Sequence, residues 1–136
     1  MKRNATAVWK GSLKEGAGTL TTESTVLNKT QYSFKTRFED GVGTNPEELI
    51  AAAHSGCFTM QLSAYITEAG FDIESLETKC DVDFQDGSVV SSHLTVNGKV
   101  SGISKEKFQE LVTKAETQCP ISKLLDTKIT SSATLA

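Results

Sequence analysis

The chain has 136 residues, 38% hydrophobic and 23% charged, the size and make-up of one ordinary globular domain spanning 1–136. Its 14 basic and 17 acidic residues leave a formal charge of −3 with no basic block, which argues against nucleic acid or an anionic membrane as main partner. No apolar run approaches the roughly 20 residues of a membrane-spanning helix.

The opening Met1-Lys2-Arg3-Asn4-Ala5-Thr6 leads into alternating polar and apolar residues, not a signal-peptide core, so a cytoplasmic location is expected. Three segments then read as strands: Ala5 to Lys10, Gly18 to Glu23 and Gln31 to Phe38, rich in Thr, Val and aromatic residues and separated by glycine or Asn-Lys turns. In the third, Tyr32, Phe34, Thr36 and Phe38 share one face, and Arg37 projects from the other.

Gly43-Thr44-Asn45-Pro46-Glu47-Glu48 is a dense helix start: Thr44 or Asn45 caps, Pro46 fits the first turn, and acids follow. The helix runs on to Ala69, with Gly56 as its one breaker and Gly70 as C-cap, about 24 residues in all. Its middle, Leu49 to Phe58, is apolar or small nearly all round, which predicts a central spine buried on most sides. Gly56 costs a helix about 1 kcal/mol relative to Ala, so its presence there predicts a close contact.

Leu76 to Phe84 and Val89 to Val100 form a hairpin around Asp86-Gly87. Ser104 caps a helix on whose core face lie Phe108, Leu111, Val112 and Ala115, and Pro120 ends it near Cys119. A short helix over Ile121 to Leu125 and a last strand over Thr127 to Thr134 complete the chain. This order predicts an α+β fold with largely antiparallel sheets and a long buried central helix, not an alternating βαβ nucleotide-binding fold.

Three cysteines, an odd number, do not make a secreted disulfide framework; in a reducing compartment they are packing residues or working thiols. Cys57 lies mid-helix among small residues that let another element approach its sulfur, though the same position suits a buried small hydrophobe. Cys119 lies at a helix boundary where free N–H groups favour a thiolate. Its Cys119-Pro120-Ile121-Ser122 imitates a thioredoxin-like motif without the strand that should feed it. Cys80 shares a strand face with Thr78, Val82 and Phe84 and reads as core. His54, three residues before Cys57, makes a Cys–His dyad conceivable but has no orienting third group. His93 faces outward with no chemical neighbour. No spaced ligand set for a metal and no cofactor motif is present.

Beyond these readings, the run Gly43-Thr44-Asn45-Pro46-Glu47-Glu48-Leu49-Ile50-Ala51-Ala52-Ala53-His54-Ser55-Gly56-Cys57-Phe58 strongly resembles the osmotically inducible protein C (OsmC) family, which includes the organic hydroperoxide resistance (Ohr) proteins. The likeness extends to Ala7-Val8-Trp9-Lys10-Gly11, Gly16-Ala17-Gly18-Thr19, Thr22-Glu23-Ser24 and Cys119-Pro120-Ile121-Ser122, and Arg37 beside Phe38-Glu39 is similar to the OsmC branch. The resemblance implies a thiol-dependent peroxidase. It assigns Cys57 as the peroxidatic cysteine, Cys119 as its disulfide-forming partner, Arg37 as the cation that stabilises the thiolate, and Glu47 as the carboxylate that holds the arginine. It leaves Cys80 without a role, and implies an intertwined homodimer with shared active sites, a hydroperoxide substrate and a dithiol reductant of the lipoyl type. Phe34, Phe38, Phe58, Leu124 and Leu125 are candidates for an apolar surround suited to organic hydroperoxides.

Glu47 and Cys57 are ten residues apart on one helix, so about 15 Å of axial rise separates them. If Glu47 orients an arginine facing a Cys57, the simplest geometry uses the Cys57 of a second copy. Two other readings stand beside this one: a non-catalytic dimeric module for small apolar ligands with packing cysteines, and a disulfide oxidoreductase using Cys119 alone.

Overall fold

A computed structural model of the chain describes residues 1–39 and 41–136. They fall into two compact units, Met1–Leu49 and Ile50–Ala136.

In the first unit, β1 (Ala5–Lys10), β2 (Ala17–Thr22) and β3 (Thr30–Tyr32) form an antiparallel sheet in that order. Gly18 pairs with both Trp9 and Tyr32. A Cβ there would sit 2.5 Å from the Tyr32 ring and 2.7 Å from the Trp9 ring, so only glycine lets the two aromatics meet edge to face at 5.5 Å.

The strand expected over Gln31 to Phe38 stops at Tyr32 and gives way to a helix, α1 (Phe34–Phe38). The reason is local. Ser33 and Thr36 close a reciprocal capping box, with the Ser33 N–H donating to Thr36 Oγ1 at 2.8 Å and the Thr36 N–H to Ser33 Oγ at 3.4 Å. Phe34 and Phe38, which alternation placed on one strand face, instead stack four residues apart on a helix with centroids 4.7 Å apart.

Helix α2 (Pro46–Glu68) starts as expected: Asn45 Oδ1 accepts the Glu48 N–H at 2.8 Å, and Thr44 Oγ1 donates to Glu48 Oε2 at 2.6 Å. The Asn45 side-chain amide also donates to the Thr36 carbonyl at 2.7 Å, which ties α1 to the head of α2.

The second unit carries the remainder of α2, then β4 (Asp72–Gln85), β5 (Ser88–Ser101), α3 (Lys105–Gln118), α4 (Pro120–Leu124) and β6 (Lys128–Leu135). β4 and β5 pair antiparallel around Asp86 and Gly87, whose φ values of 49° and 78° are those of a two-residue primed turn. β6 lies parallel to β5, because α3 and α4 carry the chain back across the sheet before it begins. Phe58, Leu62 and Ile66 of α2 pack with Leu94, Val96 and Val100 of β5 and with Phe108, Leu111, Val112 and Ala115 of α3.

Within this one chain, burial along α2 is confined to one face. His54, Phe58, Leu62 and Ile66 form a single buried stripe at fourth-residue spacing. Ala52, Ala53, Gly56 and Met60 are exposed, Met60 by 74%. A Cβ on Gly56 would meet nothing within 4 Å among the described residues, which do not supply the close contact expected there. Among the described residues, no helix is long and apolar enough to cross a membrane.

Candidate thiol site

Cys119 sits where α3 ends and α4 begins. Its N–H closes α3 on the Ala115 carbonyl at 3.0 Å, and Pro120, with no N–H to donate, starts α4. The fully buried Cys119 sulfur is the N-cap acceptor of α4, receiving the Ser122 N–H at 3.3 Å.

The half-buried Cys57 of α2 faces this junction. The Ile121 N–H and the Cys119 thiol both lie close enough to act on its sulfur. The Ser122 amide of α4 thus holds the Cys119 sulfur, and the adjacent Ile121 amide acts on that of Cys57. All three cysteines are free thiols. Burial pushes the Cys57 thiol up, the Ile121 N–H pulls it down, and the neighbouring Cys119 pushes it up again. Only the amide among these influences favours the thiolate.

The conceivable Cys57–His54 dyad does not form. His54 is completely buried, and both ring nitrogens are engaged elsewhere: Nδ1 with Ser92 Oγ at 2.6 Å and Nε2 with Ser122 Oγ at 2.8 Å. Burial pulls the imidazole below its usual 6.5. Ser122 Oγ reaches Cys119 Sγ at 3.2 Å, and Ser92 Oγ reaches Cys80 Sγ at 3.2 Å. Cys80 does line the inner face of β4 as expected, but it also ends this polar chain. Its thiol is pushed up, first by burial. His93, expected to have no neighbour, pairs with Thr130 Oγ1 at 2.5 Å and Ser132 Oγ at 3.3 Å, because β6 lies alongside β5.

In the first unit, the Arg37 of α1 meets the Glu47 of α2, Nε and Nη2 donating to the same oxygen, Oε1, at 2.9 and 2.6 Å. Glu47 Oε2 is buried and has no hydrogen-bond partner among the described residues. Arg37 also lies 5.6 Å from the centre of the Phe38 ring. Beside the pair opens an apolar cavity of about 420 Å³ lined by Trp9, Leu13, Tyr32, Phe34, Phe38 and Pro46, with Arg37 on its wall. Of the expected apolar surround, Phe34 and Phe38 are found there. Phe58 is core, and Leu124 is 73% exposed on α4.

Sequence reasoning passed over Trp9, Tyr32 and Leu13 as cavity walls, and over Ser92 and Ser122 as partners of His54. For Ser122 a signal existed in its place in Cys119-Pro120-Ile121-Ser122. For Ser92 none did, since its closeness to Cys80 depends on the β4–β5 register.

A family model described as "OsmC-like protein" matches residues 38–133. The chain belongs to the OsmC-like family. Among its relatives, the peroxiredoxin OsmC of Escherichia coli K12 is 44% identical over 128 residues, covering 91% of this chain and 90% of that protein. The organic hydroperoxide resistance protein OhrB of Bacillus subtilis 168 is 35% identical over 111 residues, covering 79% and 80%. The crystal structure of B. subtilis OhrB superposes with a TM-score of 0.67 at 26% identity over 98% of both chains. An OsmC-like protein from Mycoplasma pneumoniae shares the fold at a TM-score of 0.74 and 16% identity, covering 100% of this chain and 98% of that one. The OsmC-like α+β architecture and the family expected from the helix motif are thus both found.

Proposed function

We propose that this OsmC-like chain is a thiol peroxidase for organic hydroperoxides, in which Cys57 takes the oxygen and Cys119 closes a disulfide onto it. The observation that carries the reading is the close pair of free thiols at the head of α4, with the Ser122 amide on the Cys119 sulfur. The relatives named a peroxiredoxin and an organic hydroperoxide resistance protein support the same chemistry. The Cys57 thiolate attacks the distal oxygen of the hydroperoxide, the O–O bond breaks, and the alkoxide leaves as alcohol after taking a proton. Cys57 is left as sulfenic acid. Cys119 then displaces its hydroxyl as water, and a dithiol reductant, for which a lipoyl-type group is the reading here, returns the disulfide to two thiols.

The Arg37–Glu47 pair supplies what the thiol pair lacks. Burial disfavours the Cys57 thiolate, and a permanently charged guanidinium offsets this and steadies the developing alkoxide. The cavity beside Arg37 is apolar and accepts an alkyl tail better than it accepts hydrogen peroxide. The site is shared within a homodimer. Ten residues of α2, about 15 Å of rise, separate Glu47 from Cys57 of the same chain, and Arg37 is bound to Glu47 at 2.6 Å. The exposed Ala52, Ala53, Gly56 and Met60 face of α2 and Glu47 Oε2, unpartnered among the described residues, are the features that a second copy completes. The two units together make one OsmC-like domain over 1–136, and the protein works in the cytoplasm, where a dithiol pool keeps it reduced.

The test is a titration of the reduced protein with an alkyl hydroperoxide. One equivalent per chain consumes two of the three thiols and joins the Cys57 and Cys119 peptides. Cys57→Ser abolishes turnover, and Cys119→Ser reacts once and leaves a trappable sulfenic acid. Binding of hydroperoxide with no loss of thiols would instead establish the ligand-binding module.

A further inference from the structure

The resolving thiol is the most enclosed of the three. Cys119 has no exposed surface, so when its sulfur attacks the Cys57 sulfenic acid, its proton cannot pass directly to bulk water. An isolated thiolate in such surroundings is disfavoured. The step therefore needs an acceptor inside the fold.

We infer that His54, acting through Ser122, is the proton-holding residue for Cys119 in the disulfide-forming step. The inference rests on the assignment of Cys57 and Cys119 above. An unbroken hydrogen-bonded path carries it: Cys119 Sγ to Ser122 Oγ at 3.2 Å, Ser122 Oγ to His54 Nε2 at 2.8 Å, and His54 Nδ1 to Ser92 Oγ at 2.6 Å. Ser92 continues it to Cys80 at 3.2 Å. His54 and Ser92 are wholly buried and Ser122 nearly so, so each hydroxyl is oriented by protein neighbours. In one arrangement that the path admits, the Cys119 S–H donates to Ser122 Oγ while its sulfur receives the Ser122 N–H. Ser122 O–H then donates to Nε2, and Nδ1–H donates to Ser92. This is one tautomer of a neutral ring with its lone pair aimed along the path.

The step balances without a further reactant. The Cys119 S–H proton moves to Ser122 Oγ as the Ser122 proton moves to His54 Nε2. The Cys119 electron pair forms the S–S bond, the S–O bond of the Cys57 sulfenic acid breaks, and the departing hydroxide takes the proton back from His54 through Ser122 as water. Cys119 is oxidised and Cys57 reduced, both to the disulfide level. The titratable groups along the path are thiols: Cys80 from β4, its sulfur 3.9 Å from Nδ1, and Cys119 from the α3–α4 junction through Ser122. Asp81 acts at one remove by raising Cys80. Ser92 is what β5 presents. Burial keeps the ring neutral around neutral pH, so the acceptor is open where the enzyme works.

The experiment follows sulfenic acid trapping and disulfide formation separately, in single turnovers with tert-butyl hydroperoxide across pH 5 to 9. In the unaltered protein, disulfide formation is nearly flat through neutral pH and falls only in acid, once His54 protonates. Ser122→Ala and His54→Gln accumulate sulfenic acid, close the disulfide on the order of 10²-fold more slowly, and show a rate that climbs tenfold per pH unit. Ser122→Thr keeps the hydroxyl and restores the flat profile. His93→Gln, on the other face of β5, is the control. A flat profile at normal rate in both Ser122→Ala and His54→Gln overturns the inference. If either variant fails to fold, the unaltered protein decides: a resolving rate that climbs tenfold per pH unit through neutrality overturns it equally. Absence of any Cys57–Cys119 disulfide in the unaltered protein overturns both this inference and the assignment beneath it, and only that outcome touches both.

Discussion

Mixing two inactive variants tests the shared site directly, and the geometry sets the expected yield. Cys57→Ser removes the proposed nucleophile and leaves the Arg37–Glu47 pair intact; Arg37→Met does the reverse. Arg37 is held to Glu47 at 2.6 Å, and Glu47 lies about 15 Å of helix rise from Cys57 of its own chain. If each site takes its thiol from one copy and its arginine from the other, a heterodimer of the two variants has one complete site and one doubly damaged one. Random refolding of equal amounts gives about half heterodimers, so about a quarter of all sites should turn over at the wild-type rate. Activity is read as alkyl hydroperoxide consumed with excess dithiol, against each variant refolded alone and with heterodimer measured by native mass spectrometry. A value near zero with heterodimer present at about half would refute the shared site and return Arg37 to its own chain's chemistry.

Three further outcomes follow from particular contacts. Gly56→Ala should gain about 1 kcal/mol by helix propensity if this chain stood alone, since no described residue lies within 4 Å of the new methyl. With a second copy against the slim face of α2 we expect the opposite sign, loss of dimer at low concentration by sedimentation; greater stability with unchanged mass would remove that face from the interface. Gly98→Ala would place a Cβ 2.6 Å from Cζ of the buried Phe108, and should lower stability by about 1–3 kcal/mol in urea unfolding. An effect below about 0.5 kcal/mol would mean that the ring yields freely.

His54 makes stability depend on pH. Its folded-state pKa is depressed below 6.5, so on acidification the unfolded chain takes up a proton before the folded one does. Stability is full above pH 6.5 and declines below it, by at most about 1.4 kcal/mol per pH unit, until the folded pKa is passed. His54→Gln should flatten that slope between pH 6.5 and 5, whatever it costs at pH 7.5. An unchanged slope would place the acid sensitivity in another group.

Most of the fold and the family were legible along the chain, because those features are local. The cap, proline and acids at the head of α2, the Asp86-Gly87 turn and the Pro120 break each act within a few residues. The helix motif around Cys57 is long enough to point to its family unaided. Local reasoning failed where two local signals competed, at Ser33 to Phe38, and there a capping box overrode strand alternation. What only the tertiary structure decided was adjacency. Pairing β6 alongside β5 gives His93 its partners, and the β4–β5 register sets Cys80 beside Ser92. Ser122 meets His54 across 68 residues of sequence, and Ile121 reaches Cys57 across a similar span. Such contacts depend on how elements stack, which residue spacing along one strand or helix does not encode; a serine at position 92 is ordinary until packing puts a buried imidazole 2.6 Å from its oxygen.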